Sequence, residues 1–200
     1  MRARIRSELD SPDYPGFLVY VMGPYKEWEL ADLLPDDASP PDDGGVVGEW
    51  DAAATDYSEE DVLALLERTR DRLREEVGVN AFLAIDVDIP LEEMDAATQT
   101  IEFARASNVI AFVAPSVGKN LGIGIETGAV LADLDDEHQE RVVFVHESGV
   151  RSAMIDSLSR RWEADVRTYE DEDELVDRLK TFIGVIINAE YSGDLPKLDE

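Results

Sequence analysis

Short apolar, β-rich runs alternating with stretches of helical character constrain this chain more than any other feature. The runs are Phe17-Leu18-Val19-Tyr20-Val21-Met22-Gly23, residues 81–87, residues 109–114 and residues 142–146, with 166–169 as a shorter fifth. Near-continuous apolar composition marks strands buried on both faces, which is the condition of a parallel sheet covered by helices.

Helical patterns fill the intervals. Ser58-Glu59-Glu60-Asp61 supplies an N-cap and first-turn acids, and Val62, Leu65, Leu66, Thr69 and Leu73 form an apolar stripe that predicts a helix to about residue 77. Further helices are predicted over 91–106, 123–134, 150–162 and 172–187. Strands alternating with helical patterns imply parallel βαβ units. The predicted fold is therefore α/β: a three-layer, doubly wound, parallel five-stranded sheet of flavodoxin-like order 2-1-3-4-5.

With 44% hydrophobic residues in a length of 200, one domain accounts for the chain. It is predicted over 17–189, with residues 1–16 as a loose arm and 190–200 as a tail. The long loop 24–57 is rich in breakers, notably Pro35-Asp36-Asp37-Ala38-Ser39-Pro40-Pro41-Asp42-Asp43-Gly44-Gly45, and has room for one short helix near residues 28–34. A lid over a site and an insertion typical of high-salt proteins both fit it. Trp50 and Trp162 carry no pattern beyond anchoring core or loop.

Charge narrows the setting. Asp and Glu number 46 against 18 Lys and Arg, a formal net charge of −28. The acids are spread over loops and polar helix positions, as on proteins of a high-salt cytoplasm, where a Debye length of about 3 Å at molar salt removes most of the self-repulsion. A nucleic-acid backbone would be repelled, so no nucleic-acid partner is expected. Cysteine is absent, which excludes disulfides and thiolate chemistry, and His138 and His146 are the two histidines. No metal site and no cofactor are expected. No run reaches the roughly 18 apolar residues needed to span a bilayer, and residues 1–10 lack a signal-type apolar stretch. A soluble, cytoplasmic protein without membrane partners is expected.

Doubly wound sheets bind ligands beyond the carboxyl ends of their strands, near the switch between the first and third. Four segments are predicted there: Gly23-Pro24-Tyr25, residues 86–88, residues 115–126, and His146-Glu147. The third stands out because residues 103–125 contain no acid, where 46 acids in 200 residues would place about five in those 23. Glu126 ends the gap. Gly118, Gly122, Gly124 and Gly128 allow close backbone approach, the following helix start favours an anion, and Ser116 and Lys119 add a hydroxyl and a positive charge. The pattern is neither the dinucleotide fingerprint nor a P-loop.

A carboxylate at that helix start is placed to attack an anomeric carbon or stabilise an oxocarbenium ion. The plainer account is an acid favoured by the helix dipole beside a turn that merely packs tightly. Asp86 and Asp88 flank Val87, so on a strand only one of them reaches the site, and Asp86 is the candidate. His146, ending its strand, is either a donor to a base or phosphate or a satisfied strand-end histidine.

Tyr20-Val21-Met22-Gly23-Pro24-Tyr25, Val113-Ala114-Pro115-Ser116 and Gly122-Ile123-Gly124-Ile125-Glu126-Thr127-Gly128 together resemble the nucleoside 2-deoxyribosyltransferase superfamily, including the deoxynucleoside-monophosphate N-glycosidases. The resemblance covers about residues 17–147. It implies that Glu126 is the nucleophile, that Tyr25 lines the sugar or base pocket, and that Ser116 with the backbone of 118–122 holds a 5′-phosphate. A small-molecule nucleoside or nucleotide ligand and a homodimer or larger homo-oligomer are implied as well.

One departure bears on catalysis. The family places an acid eight residues ahead of an Ala-Asp pair, whereas here the pair is Ser107-Asn108 and the matching position is Thr100. Glu102, Asp95 and Asp86 are the acids available to replace it. Two other readings therefore stay open: a non-catalytic nucleotide-sensing module of the same fold, and a TIR-like domain that cleaves nicotinamide from NAD.

Overall fold

The structure, a computed structural model, describes residues 1–9, 12–24, 59–115, 130, 132–149 and 165–198. Its frame is a five-stranded, all-parallel sheet with the predicted order, β2-β1-β3-β4-β5. The strands are β1 (Tyr14–Met22), β2 (Val79–Phe82), β3 (Val109–Ala114), β4 (Val142–Glu147) and β5 (Asp165–Tyr169). Around them lie α1 (Arg2–Glu8), α2 (Glu59–Val77), α3 (Ala96–Ala106), the short α4 (Asp136–Gln139) and α5 (Glu172–Ser192).

Strand alternation divides the core into two chemistries. One face carries Val19, Val21, Val79, Ala81, Val109, Ala111, Val143 and Val145, packed against Leu66 and Leu73 of α2 and Leu175, Leu179 and Ile183 of α5. The opposite face carries Leu18, Tyr20, Phe82, Ile110, Phe112 and Phe144, packed against Ile5 of α1 and Phe103 of α3. β-branched residues suit the flat valine face, where two long helices lie. On the other face Tyr20 stacks on Phe82 at 5.0 Å, Phe103 meets both rings edge-on, and Phe112 stacks on Phe144 at 4.6 Å. Each of these side chains contributes about 1.5–3 kcal/mol by leaving water.

Several predicted boundaries are corrected by hydrogen bonding. Residues 1–16 are not a loose arm: Ile5 is fully buried, and Arg2 donates to the carbonyls of Ala106 and Gly16 and to Asn108 Oδ1. The helix predicted from residue 91 begins at Ala96, because the Asp95 side chain accepts from Thr98 N and caps it there. The second strand ends at Phe82, five residues before its predicted end, and Ala84–Asp86 form a 3-10 turn instead. That turn closes because Asp86 Oδ2 accepts from Leu83 N at 2.9 Å, so the alternation argued for Asp86 and Asp88 on a strand does not apply.

The tail predicted from residue 190 is likewise part of the fold. α5 continues to Ser192, Glu190 reaches Arg141 at 2.5 Å, Leu195 is buried, and Arg141 donates to Pro196 O. The predicted loop 24–57 beyond Pro24, its helix near 28–34 and the predicted helix 150–162 lie outside the described residues.

Candidate functional site

The carboxyl edge of the sheet is built by register. Met22 pairs with Phe112, Ala114 with His146, and His146 with Thr168, so β1, β3 and β4 end side by side. Gly23 follows β1 directly into this edge. A β-carbon there would stand 2.8 Å from Leu66 Cδ1 and 3.1 Å from the Val113 carbonyl oxygen. Glycine is thus demanded by the close passage of the β1 turn between α2 and the end of β3.

Pro115, buried against the same edge, begins the segment that leads to Glu126. His146 is half-buried beside Ala114, with Nδ1 3.0 Å from the carbonyl oxygen of Glu147. The structure therefore brings together Gly23, the exit of β3 and His146. Tyr25, Ser116, Gly118, Lys119, Gly122, Gly124 and Glu126 lie outside the described residues.

Asp86 is held by the helix behind it. Its Oδ1 lies 2.5 Å from Arg70 Nη1, its Oδ2 accepts from Leu83 N, and Arg74 Nη2 stands 3.9 Å away. Burial works against the Arg70 charge, yet the Asp71 hydrogen bond and the fields of Asp86, Asp71 and Glu67 raise its pKa above the ordinary arginine value. Both Asp86 oxygens are engaged in closing the turn after β2, which is a structural task. Asp88 is exposed, and its backbone N–H donates to Glu8 while its carbonyl accepts from Arg4.

The positions where the resemblance calls for acids are also committed locally. Thr100 Oγ1 donates to Ala96 O within α3, and Ser107 Oγ donates to Phe103 O. Asn108, 3% exposed, accepts from Leu18 N and Arg2 and donates to Glu190. Among the other candidate acids, Asp95 caps α3 and Glu102 pairs with Arg105 on the helix surface.

Arg2, Asn108, Arg141 and Glu190 form a buried polar cluster at the amino ends of β1, β3 and β4, opposite the candidate site. Sequence reasoning missed it. The available signal was an arginine directly before an apolar strand, at Arg141-Val142, since an arginine there has no route to solvent once the strand is covered. Among the described residues no group of three or more His, Asp or Glu is placed to hold a metal ion, and no helix is long and apolar enough to cross a membrane.

No curated protein and no solved structure matches this chain. A family described as a domain of unknown function, DUF7509, matches residues 2–199, and the chain belongs to that family.

Proposed function

We propose that the chain binds a nucleoside or nucleotide at the carboxyl edge of β1, β3 and β4 and cleaves its N-glycosidic bond, by hydrolysis or by deoxyribosyl transfer, through Glu126. The observation that carries this reading is the meeting of Gly23, the end of β3 and His146 on one edge, at the switch point of a doubly wound sheet. The acid-free, glycine-rich segment that ends at Glu126 leaves from that edge. Its resemblance to the deoxyribosyltransferase superfamily supplies the chemistry: the carboxylate bonds to the anomeric carbon as the C–N bond breaks, the departing base takes a proton from solvent, and water or an acceptor base then displaces the carboxylate from the sugar.

The acid coat supports operation in high salt, so the test belongs there. The purified protein is incubated at molar salt with a panel of nucleosides, their monophosphates and NAD, and free base is followed by chromatography. Release of base by the wild type and its loss in Glu126→Ala are expected. No release from any member, or a full rate in Glu126→Ala, refutes the reading. Nicotinamide as the sole product assigns the site to TIR-like NAD cleavage instead.

A sensing role is the second reading, and a specific observation favours it. Thr100 and Asn108 replace the acids that the resemblance calls for, and Asp86 spends both oxygens on Arg70 and Leu83. A sensor predicts that a nucleotide raises the melting temperature without being consumed, because a ligand bound only by the folded state stabilises it.

A further inference from the structure

A carboxylate that holds a sugar covalently cannot also deprotonate the water that releases it. Cleavage through a glutamate nucleophile therefore needs a second, basic group at the same edge. Thr100 stands where the resemblance calls for an acid, and Asp86 has both oxygens engaged by Arg70 and Leu83. His146 is differently placed.

Strand alternation and register fix the side on which its ring lies. Phe144 points to the face shared with α1 and α3, and Val145 to the face shared with α2 and α5, so His146 returns to the Phe144 side. Its register partner Ala114 follows Phe112 by two residues. Both therefore sit one row beyond the Phe112–Phe144 stack, at the carboxyl end of the sheet. Val130 and Leu134 are buried on this same face, and Leu134 N donates to Val130 O. The helix predicted over 123–134 thus has these two residues on the face that carries His146. Glu126 precedes Val130 by four residues in the sequence.

The protonation pattern of the ring follows from one contact. Nδ1 lies 3.0 Å from the Glu147 carbonyl oxygen, and a carbonyl only accepts, so Nδ1 carries the hydrogen. In the neutral ring Nε2 is then the bare nitrogen, with its lone pair directed away from the backbone contact. Among the described residues Nε2 has no hydrogen-bond partner. A basic atom held in one tautomer at the ligand edge of the sheet is what the second half of the reaction requires.

We propose that His146 Nε2 is the general base for hydrolytic release of the sugar, an inference that rests on Glu126 being the nucleophile. Water bonds to the anomeric carbon, the bond between that carbon and the Glu126 carboxylate breaks, and the water's proton passes to Nε2. The imidazolium then returns the proton to solvent. The first half, in which the base leaves, makes no use of Nε2.

The two halves are separated by rapid mixing at molar salt, with the nucleoside or monophosphate from which the wild type releases base fastest. His146→Asn retains an amide N–H to donate to the Glu147 carbonyl and removes Nε2, and His146→Gln is the second variant. Both are compared with the wild type in melting temperature. The expected result is a burst of free base equal to the enzyme present, at the wild-type rate, followed by turnover slower by about 100-fold or more, the usual effect of losing a general base. The mass of the sugar appears on the peptide containing Glu126. Azide, a nucleophile with no proton to lose, is expected to displace the carboxylate and restore turnover, giving the glycosyl azide.

Full turnover in both variants overturns the proposal, as does loss of the burst itself or slow turnover that azide leaves unchanged. If the wild type turns over, Glu126→Ala does not and the His146 variants do, the proposal falls and the reading of Glu126 stands. A wild type that releases no base overturns both.

Discussion

Arg141 and Glu190 meet at 2.5 Å with the arginine side chain wholly withdrawn from solvent, tying the entry of β4 to the last turns of α5. Arg141 also donates to the carbonyls of Asn108 and Pro196, and Glu190 also accepts from Asn108. A charge at that depth is tolerable because its partners, Asn108, Glu190 and Pro196, are fixed by three separate parts of the chain.

Removing one partner exposes the cost of burying the other. Glu190→Ala is expected to lower the unfolding free energy by roughly 3–5 kcal/mol, as breaking a buried ion pair does. The loss persists at molar salt because a buried pair is little screened, whereas removing the exposed Arg68–Glu172 pair costs about 0–1 kcal/mol and less in salt. Denaturant titrations at two salt concentrations separate the two. A Glu190→Ala change as small as the surface pair's contradicts the structure.

Gly23 is a steric position. Gly23→Ala brings a methyl to 2.8 Å from Leu66 Cδ1 and 3.0 Å from Cδ2, overpacking that costs about 1–3 kcal/mol. Leu66→Ala alone leaves a cavity costing about 2–5 kcal/mol. The double variant is expected to be more stable than the sum of the two predicts, since the new methyl occupies part of the vacated space. Strict additivity would show that the two residues do not touch.

Asp86 is predicted to support the fold and not the reaction. Asp86→Asn removes the charge facing Arg70 and is expected to cost about 1.5–3 kcal/mol, the usual worth of hydrogen bonds to charged groups. The rate of base release per folded molecule is expected to stay at the wild-type level. A large rate loss at undiminished stability would return Asp86 to the chemistry.

Acid sensitivity follows from carboxylates that gain partners on folding. Glu76 is held below the usual carboxylate range by hydrogen bonds from Arg72 and Lys180, Asp95 by Thr98, and Asp135 by His138. A carboxylate with a lower pKa when folded adds stability above its unfolded pKa, and that stability is lost as the pH falls through the folded value. At molar salt the melting temperature is therefore expected to hold from neutral pH down to about pH 5 and to decline below it. At low salt the opposite trend comes first, because early protonation relieves the self-repulsion of a −28 chain. Melting scans across pH at both salt concentrations check the two signs. A low-salt curve that falls monotonically would show that self-repulsion does not limit stability.

Much of the architecture is written locally. The run Val109-Ile110-Ala111-Phe112-Val113-Ala114 is apolar on both faces and became β3 without a change of boundary, and the Glu59–Val77 stripe became α2. Boundaries slipped where a single side chain settled the outcome: Asp95 capped α3 five residues late, and Asp86 turned the chain after Phe82. Either aspartate also reads as ordinary acidic surface in a chain with 46 acids.

At the candidate site the sequence marked the segments, and the parallel register placed Gly23, Ala114 and His146 on one edge. The packing need at Gly23 was invisible beforehand, because Leu66 is 43 residues away in a different layer. Periodicity and composition by themselves determined the elements, their alternation and hence the doubly wound sheet, since burial on both faces is a property of neighbouring residues. Only the tertiary structure decided which polar groups become interior: Arg2, Asn108, Arg141 and Glu190 converge at the amino ends of β1, β3 and β4, and burial there turns surface-type residues into a clamp.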